Sequence, residues 1–195
     1  MSAQIETNIK IEFKSRDRIS VLFRLILVAP IAIFSSSFSI SDATNGWPTA
    51  FLVLPALLAL VFREVYPSYV LSFNKALLGL SNRIVAFVLL LQDGYPSIES
   101  DPRVEITFPE IDGGKKLNRY LPLVKWILAI PLYLVGAVYA VYALALTVFA
   151  WVSILISNQY PEWCAKGVVG TISYWNRVAG YAFLLVTDEY PSFNL

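Results

Sequence analysis

The sequence predicts an all-α integral membrane protein built from two pseudo-symmetric repeats. Each repeat is expected to form a transmembrane helical hairpin followed by an amphipathic interfacial helix. A short cytoplasmic β-ribbon is expected to join the two repeats. Three observations lead to this prediction: the apolar composition, an internal duplication and a polar stripe that recurs in both halves.

The composition is too apolar for a soluble domain of this length. The chain has 195 residues, of which 57% are hydrophobic and 15% are charged, and its mean hydropathy is +0.62. Soluble domains are usually about 45–50% apolar and about 25% charged. A soluble core of this size cannot hide so much apolar surface from water, so the composition excludes a soluble enzyme and a disordered chain.

The residues that are rare or missing narrow the function further. The net charge of +1 provides no basic surface for nucleic acid. The chain has no histidine and a single cysteine, Cys164, which excludes a histidine-based catalytic triad and a thiolate metal cluster. We therefore expect no enzyme, no catalytic residue, no metal and no cofactor, although a bound phospholipid is compatible with the sequence.

The two halves, residues 1–100 and 101–195, are similar enough to be two copies of one unit. Motifs of the first half recur in the second half in the same order, at offsets of 94 to 101 residues. The aligned motifs are Arg24–Pro30 with Lys125–Pro131, Tyr66-Pro67 with Tyr160-Pro161, Asn82-Arg83 with Asn176-Arg177, and Asp93–Ser97 with Asp188–Ser192.

Each copy opens with apolar residues at alternating positions, within residues 8–13 and 103–108. A period of two indicates a β-strand, and a solvated linker is the alternative. A two-fold axis along the membrane normal would make two equivalent strands antiparallel. We therefore predict that 8–13 pairs with 103–108, either within the chain or swapped between chains.

A long apolar stretch follows in each copy. In the first copy a polar break separates two predicted spans, about 20–40 and 48–63, with a hairpin tip at Asp42–Trp47. In the second copy, residues 121–157 would form one helix of roughly 55 Å, far longer than the hydrocarbon core of about 30 Å.

The second stretch is therefore predicted to fold back near Gly136–Tyr142, which gives spans of about 121–138 and 141–157. Pro30 and Pro131 lie inside the first span of each copy, where proline is expected to kink a helix.

The third part of each copy is a predicted amphipathic helix, about 68–92 and about 162–186. Polar and small residues recur there every three or four positions, on one stripe. Such a helix either lies in the membrane interface or spans the membrane with its polar face inside a bundle. The flat arrangement is favoured because it places every basic residue on the cytoplasmic side, and both termini are then cytoplasmic.

The two Asn-Arg pairs are the leading candidate functional residues. Arginine in mid-helix binds lipid phosphate through bidentate contacts, or it pairs with the carboxylates of the Asp-x-Tyr-Pro segments. Both roles stay open. The residues concerned are Asn82, Arg83, Asn176, Arg177, Asp93 and Asp188.

Aromatic residues near the predicted helix ends are expected to form an interfacial belt, because tyrosine and tryptophan favour the headgroup region. These residues are Tyr66, Tyr95, Tyr160, Tyr190, Trp126, Trp163 and Trp175.

The second copy resembles a bacterial membrane domain family of unknown function. The matching elements are Lys125-Trp126 through Pro131, Tyr160-Pro161, Trp175-Asn176-Arg177 and Asp188–Pro191. The first copy matches more loosely, with Phe23-Arg24 in place of Lys-Trp. The resemblance implies the architecture and a bacterial inner-membrane location, and it supplies no activity or substrate.

The favoured hypothesis for function is a non-catalytic inner-membrane scaffold or accessory subunit that assembles with itself or with a larger complex. Small residues in the spans would allow close helix packing. The alternative is a protein that binds anionic lipids or shapes membranes. A transporter or channel is less favoured because the predicted spans contain almost no ionisable groups.

Overall fold

The computed structural model describes residues 3–39 and 51–195 and is mostly helical, at 61%, with one small sheet. In chain order its elements are β1 (Glu6–Ile9), α1 (Arg18–Leu22), α2 (Arg24–Leu27), α3 (Ala29–Ser36), α4 (Val53–Arg63), α5 (Ser68–Val88), β2 (Val104–Thr107), α6 (Lys125–Leu128), α7 (Ile130–Ser157) and α8 (Glu162–Ala182). Short 3₁₀ turns lie at Ser37–Ser39, Asp112–Gly114 and Leu121–Leu123.

The two strands form an antiparallel ribbon within the chain. Their register runs from Glu6 opposite Thr107 to Ile9 opposite Val104. β1 begins two residues before the predicted range 8–13 and ends four residues before its end, whereas β2 lies within the predicted range 103–108 and is one residue shorter at each end. Beyond Ile9 the N–H of Lys10 still donates to the carbonyl of Arg103 at 2.9 Å, and two residues later the N–H of Glu12 donates to the carbonyl of Leu91 at 3.0 Å.

The predicted hairpin within residues 121–157 is wrong. The structure has one continuous helix, α7, of 28 residues. No polar break interrupts this segment, and the helix ends only where Asn158 takes a left-handed conformation (φ 58°). Among the described residues α7 is the one helix long and apolar enough to cross a membrane, by length and composition.

The two prolines do not kink their helices. Pro30 and Pro131 lie in the first turns of α3 and α7, where the missing N–H has no intrahelical partner to lose. In both halves the segment before the proline is divided into short turns, and the longer helix begins at the proline. The predicted span 20–40 is therefore three short helices in succession.

The first half contains two shorter helices, α3 and α4, in the place that α7 has in the second half. The ring of Phe38 lies 6.2 Å from that of Phe73, and the N–H of Leu52 donates to Asn74 Oδ1 at 2.8 Å. The end of the turn after α3 and the start of α4 thus meet beside the same turn of α5. The predicted hairpin tip, 42–47, lies outside the described residues.

The third helices begin where predicted and end four residues early. Pro67 and Pro161 are the N-caps of α5 and α8, which have 21 residues each. Soon after each helix a leucine takes a left-handed conformation, Leu90 at φ 64° and Leu185 at φ 57°. These residues turn the chain, so that the carbonyls beyond them point back toward the protein interior.

α7 and α8 pack as an antiparallel pair. The hydroxyl of Tyr174 donates to the carbonyl of Leu132 at 2.8 Å. Near the other end of the pair, a Cβ built on Gly167 would lie 2.4 Å from the side chain of Leu146. The third helices also carry the ribbon, since β1 packs on α8 and β2 packs on α5.

Candidate functional site

Two buried charge clusters form the most distinctive polar feature of the described residues. In the first cluster the carboxylate of Asp93 receives two guanidinium groups. Arg16 donates to both carboxylate oxygens at 2.7 and 3.0 Å, and Arg24 Nη2 donates to Oδ1 at 2.7 Å. The N–H of Asp17 adds a fourth donor at 2.9 Å. Both arginines are buried.

Arg24 also closes the end of α5. Its Nη1 donates to the carbonyls of Phe87 and Gln92, and its guanidinium lies 4.1 Å from the centre of the Phe87 ring. Burial disfavours the ionised form of Asp93, but the hydrogen bonds from Arg16, Asp17 and Arg24 outweigh it. The pKa of Asp93 therefore lies below its ordinary value.

The second cluster is built around Asp188 with one cation instead of two. Lys125 Nζ lies 2.7 Å from Asp188 Oδ1 and donates to the carbonyl of Thr187 at 2.7 Å. The N–H of Asn118 donates to Asp188 Oδ2 at 2.5 Å. Lys125 also lies over the ring of Tyr181, at 5.2 Å from its centre.

The two clusters use residues that the sequence alignment pairs with one another. Arg24 aligns with Lys125 and Asp93 aligns with Asp188, and in both halves the cation binds the aspartate and the carbonyl before it. Both aspartates were predicted from the sequence as site residues, whereas Arg16, Arg24 and Lys125 were not. Arg24 and Lys125 could have been identified because a basic residue stands at the same aligned position in both halves, at the start of each apolar stretch.

The two predicted asparagines meet each other. Asn82 Nδ2 donates to Asn176 Oδ1 at 3.0 Å, and Asn176 Nδ2 donates to Asn82 Oδ1 at 2.8 Å. Both side chains are buried. Asn176 additionally donates to Thr7 Oγ1 at 2.8 Å, which connects α8 to the ribbon. This reciprocal pair is a structural contact between α5 and α8.

The predicted arginines Arg83 and Arg177 do not bind the aspartates. Arg83 donates to the carbonyls of Ser97 and Ile98 at 2.7 and 3.0 Å, and Arg177 donates to the carbonyl of Asn194. Each arginine therefore holds the chain segment that follows the Asp-x-Tyr-Pro motif of its own half. The aspartates are already neutralised by Arg16, Arg24 and Lys125, which explains why the expected pairs do not form.

A groove of about 740 Å³ lies between α5 and residues 98–107. Its basic residues on α5 are Lys75 and Arg83, and carboxylates on the opposite wall face them. Those carboxylates belong to Glu99, Asp101 and Glu105. Hydrogen bonds from Arg103 hold the pKa of Asp101 below its ordinary value. The groove therefore offers both signs of charge to a ligand.

Two of the predicted belt tyrosines are buried cross-links instead. The hydroxyl of Tyr66 donates to the carbonyl of Leu184 at 2.7 Å, and that of Tyr160 donates to the carbonyl of Leu89 at 3.4 Å. Each contact runs from one half of the chain to the other. Burial raises the pKa of both phenols, so both hydroxyls keep their protons at neutral pH.

The other belt residues are more accessible. Tyr95, Tyr190 and Trp163 are exposed. Trp126 is half-buried and donates to the carbonyl of Ala182 at 2.6 Å, and Trp175 packs its ring against Gly136 of α7. Within residues 3–39 and 51–195, no group of three or more acidic or cysteine side chains is placed to hold a metal ion.

Comparison with known families gives one match, in the second half. Residues 122–194 match the domain of unknown function DUF4389. The matched segment contains the elements on which the resemblance to a family of unknown function was based, from Lys125 to Pro191. No curated protein and no solved structure matches the chain.

Proposed function

We propose that this chain is an integral membrane protein of the bacterial inner membrane. The observation that carries the proposal is that two short helices bury their basic side chain and expose their apolar side chains. In α2, Arg24 is 3% exposed while the next residues, Leu25 and Ile26, are 76% and 70% exposed. In α6, Lys125 is 0% exposed and Ile127 is 67% exposed. Soluble proteins show the opposite arrangement, whereas intramembrane charges face the protein interior.

The proposal includes an internal duplication. Three kinds of contact support two copies related by a pseudo-two-fold axis: the antiparallel ribbon, the reciprocal amides of Asn82 and Asn176, and the paired hydroxyls of Tyr66 and Tyr160. A two-fold axis makes each contact between the copies occur twice or lie on the axis itself. All three contacts have that form.

Within the membrane the protein is proposed to act as a non-catalytic scaffold or accessory subunit. The aspartates of both buried clusters are paired with basic side chains, in contacts that hold the fold together. α7 exposes two alanines, Ala137 and Ala140, along one edge. Ala140 lies about 100° or more around the helix from Val138 and Val141. Small residues on an exposed apolar helix allow another membrane helix to approach closely. Association through the edge of α7 that carries Ala140 is therefore the proposed mode of assembly.

Cysteine cross-linking tests this assembly. In a Cys164→Ala background, we expect Ala140→Cys to form a cross-link at a defined mass, either to a second copy or to a partner subunit. Glu110→Cys, on an exposed loop, is the matched control and should not react. Native mass spectrometry of the gently extracted protein should give the same stoichiometry. A monomer in both experiments contradicts the scaffold proposal.

Lipid binding is the second candidate function, and the groove beside α5 is the observation that favours it. Lys75 has no ion pair within the described part of the chain, and Arg83 presents its Nη1 atom above Gly79. Arg83→Gln is expected to weaken binding of phospholipid headgroups. Arg177→Gln is the matched control, because the segment reaching Leu195 covers the corresponding face of α8. Equal retention of lipid by both variants would exclude the groove.

A further inference from the structure

We propose that the protein lies within one leaflet, with α5, α7 and α8 parallel to the membrane plane, and that the side of α7 carrying Val138, Val141 and Val152 contacts lipid acyl chains. This inference rests on the proposed membrane location. It replaces the expected four membrane crossings with none.

The ribbon runs along the third helices. At one end of β2, the carbonyl of Arg103 accepts from Gln92 Nε2 at 3.1 Å, just beyond the end of α5. At the other end, the ring of Phe108 lies 5.8 Å from Lys75 Nζ, in the first half of α5. Residues 103–108 therefore run antiparallel to α5, along about half of its length.

The same relation holds in the other half. Asn176 contacts Thr7 at 2.8 Å, and one turn later in α8 the Cβ position of Gly180 lies 2.8 Å from Ile5. β1 thus runs antiparallel to α8. Because α7 is also antiparallel to α8, the ribbon and the long apolar helix are parallel to one axis, on opposite sides of α8.

This geometry decides how the protein sits in a bilayer. The chain from Ile5, beside Gly180, to Phe13, whose carbonyl accepts from the N–H of Tyr160, runs along the length of α8, so this segment would lie inside the membrane if α7 crossed it. The ribbon and the segment that follows β1 carry exposed charged side chains: Glu6 and Glu105 on the strands, and Lys10 and Lys14 beyond β1. Intramembrane charges are costly unless they face a protein interior. With α7 in the membrane plane, all of these charges lie on the aqueous side.

The exposed side of α7 suits such a position. Its large exposed side chains are uncharged over the full helix, including Leu134, Val138, Val141, Val148, Val152 and Ile156. A helix of 28 residues is about 42 Å long, which exceeds the hydrocarbon core of about 30 Å. Lying flat, the helix immerses its whole apolar side at one depth, as interfacial amphipathic elements do.

Sided labelling with a membrane-impermeant thiol reagent tests the orientation. In the Cys164→Ala background, single cysteines replace Tyr120, before α7, Glu162, after α7, and Glu105, on the ribbon; all three positions are exposed. We expect all three to react in inverted vesicles, and labelling in right-side-out vesicles to fall to background. Val138→Cys is the buried-in-lipid control and should react only with a lipophilic reagent.

Spin labels along α7 provide a second readout. Positions 134, 141, 148 and 152 should show one common depth in the bilayer. A helix that crosses the membrane would instead change depth by up to about 1.5 Å per residue. Labelling of Tyr120→Cys and Glu162→Cys from opposite sides, or such a depth gradient, would overturn the in-plane orientation.

These experiments distinguish failure of the in-plane orientation from failure of the proposed membrane location. Release of the protein by alkaline carbonate would refute both. Retention in the membrane with opposite-side labelling would refute only the in-plane orientation. Disulfide formation between copies at Val138→Cys would show that a second protein chain covers this side of α7, and it would likewise refute contact with lipid.

Discussion

Buried cations define this protein at the scale of single residues. Arg16, Arg24 and Lys125 are buried beside two aspartates. A buried ion pair gains little over a well-packed apolar pair, but loss of one partner leaves an uncompensated charge and is costly. The first cluster has two cations for one carboxylate. Loss of the Asp93 charge therefore affects two buried cations, whereas loss of the Asp188 charge affects one.

Asp93→Asn is expected to lower the free energy of unfolding by about 3–5 kcal/mol. The variant leaves both Arg16 and Arg24 buried without a counter-charge. Unfolding of the detergent-solubilised protein by a denaturing detergent measures the change. Glu110→Gln is the control, because its ion pair with Lys116 is exposed and such pairs contribute about 0–1 kcal/mol. Equal stability of the two variants would contradict this role of Asp93.

The pH dependence of stability should depend on the same carboxylate. The pKa of Asp93 is lowered in the folded state, so its contribution is fully present above the unfolded pKa of about 3.9. The contribution is lost as the pH falls through the lower, folded pKa. Wild-type protein should lose stability as the pH falls below about 4, and Asp93→Asn should lose less over that range. Parallel acid profiles would refute the assignment.

At the scale of elements, helix starts were easier to predict than helix topology. Tyr-Pro pairs correctly predicted where α5 and α8 begin, because proline restricts the residue before it. The hairpin in residues 121–157 was wrong because it rested on membrane thickness and not on a turn signal. The predicted hairpin placed its turn near Gly136. In the structure, the missing side chain of Gly136 makes room for the ring of Trp175.

Gly136→Val is expected to destabilise the protein by about 1–3 kcal/mol, the usual cost of an overpacked core. A Cβ at this position would lie 2.6 Å from Trp175 Cζ2, so α7 and α8 would have to separate. Ala137→Val, on the exposed side of the same turn, serves as the control and should be nearly neutral. Detergent-induced unfolding monitored by circular dichroism compares the two. Equal tolerance would mean that the two helices are not in contact here.

At the scale of the whole molecule, the similarity between the two halves of the sequence predicted the contacts that follow from symmetry. It did not predict the contacts that depend on side-chain packing. An antiparallel ribbon followed from two equivalent strands, and the ribbon is present. The partners of Arg83 and Arg177 could not be predicted, because carbonyl groups leave no signature in side-chain sequence. Nor could the burial of Tyr66 and Tyr160, since tyrosine is equally common in interfacial belts.

The reciprocal amides should couple the two halves. Replacing Asn82 or Asn176 with alanine removes the donor to the side-chain oxygen of the other asparagine, and this buried oxygen is left unsatisfied at a cost of about 1–3 kcal/mol. The double variant should cost less than the sum, because no orphaned amide remains. A double-mutant cycle on the free energy of unfolding measures this coupling. Strict additivity would show that the two amides do not depend on each other.

Asn82 and Asn176 stand at equivalent positions of the two halves and hydrogen-bond to each other, which has an evolutionary consequence. If one ancestral gene encoded a single unit, the same asparagine codon specified both sides of the contact between two units. Fusion of two such genes releases each site to drift separately. Under the proposed duplication, the two arginines around one aspartate and the single lysine beside the other would be a result of such independent drift.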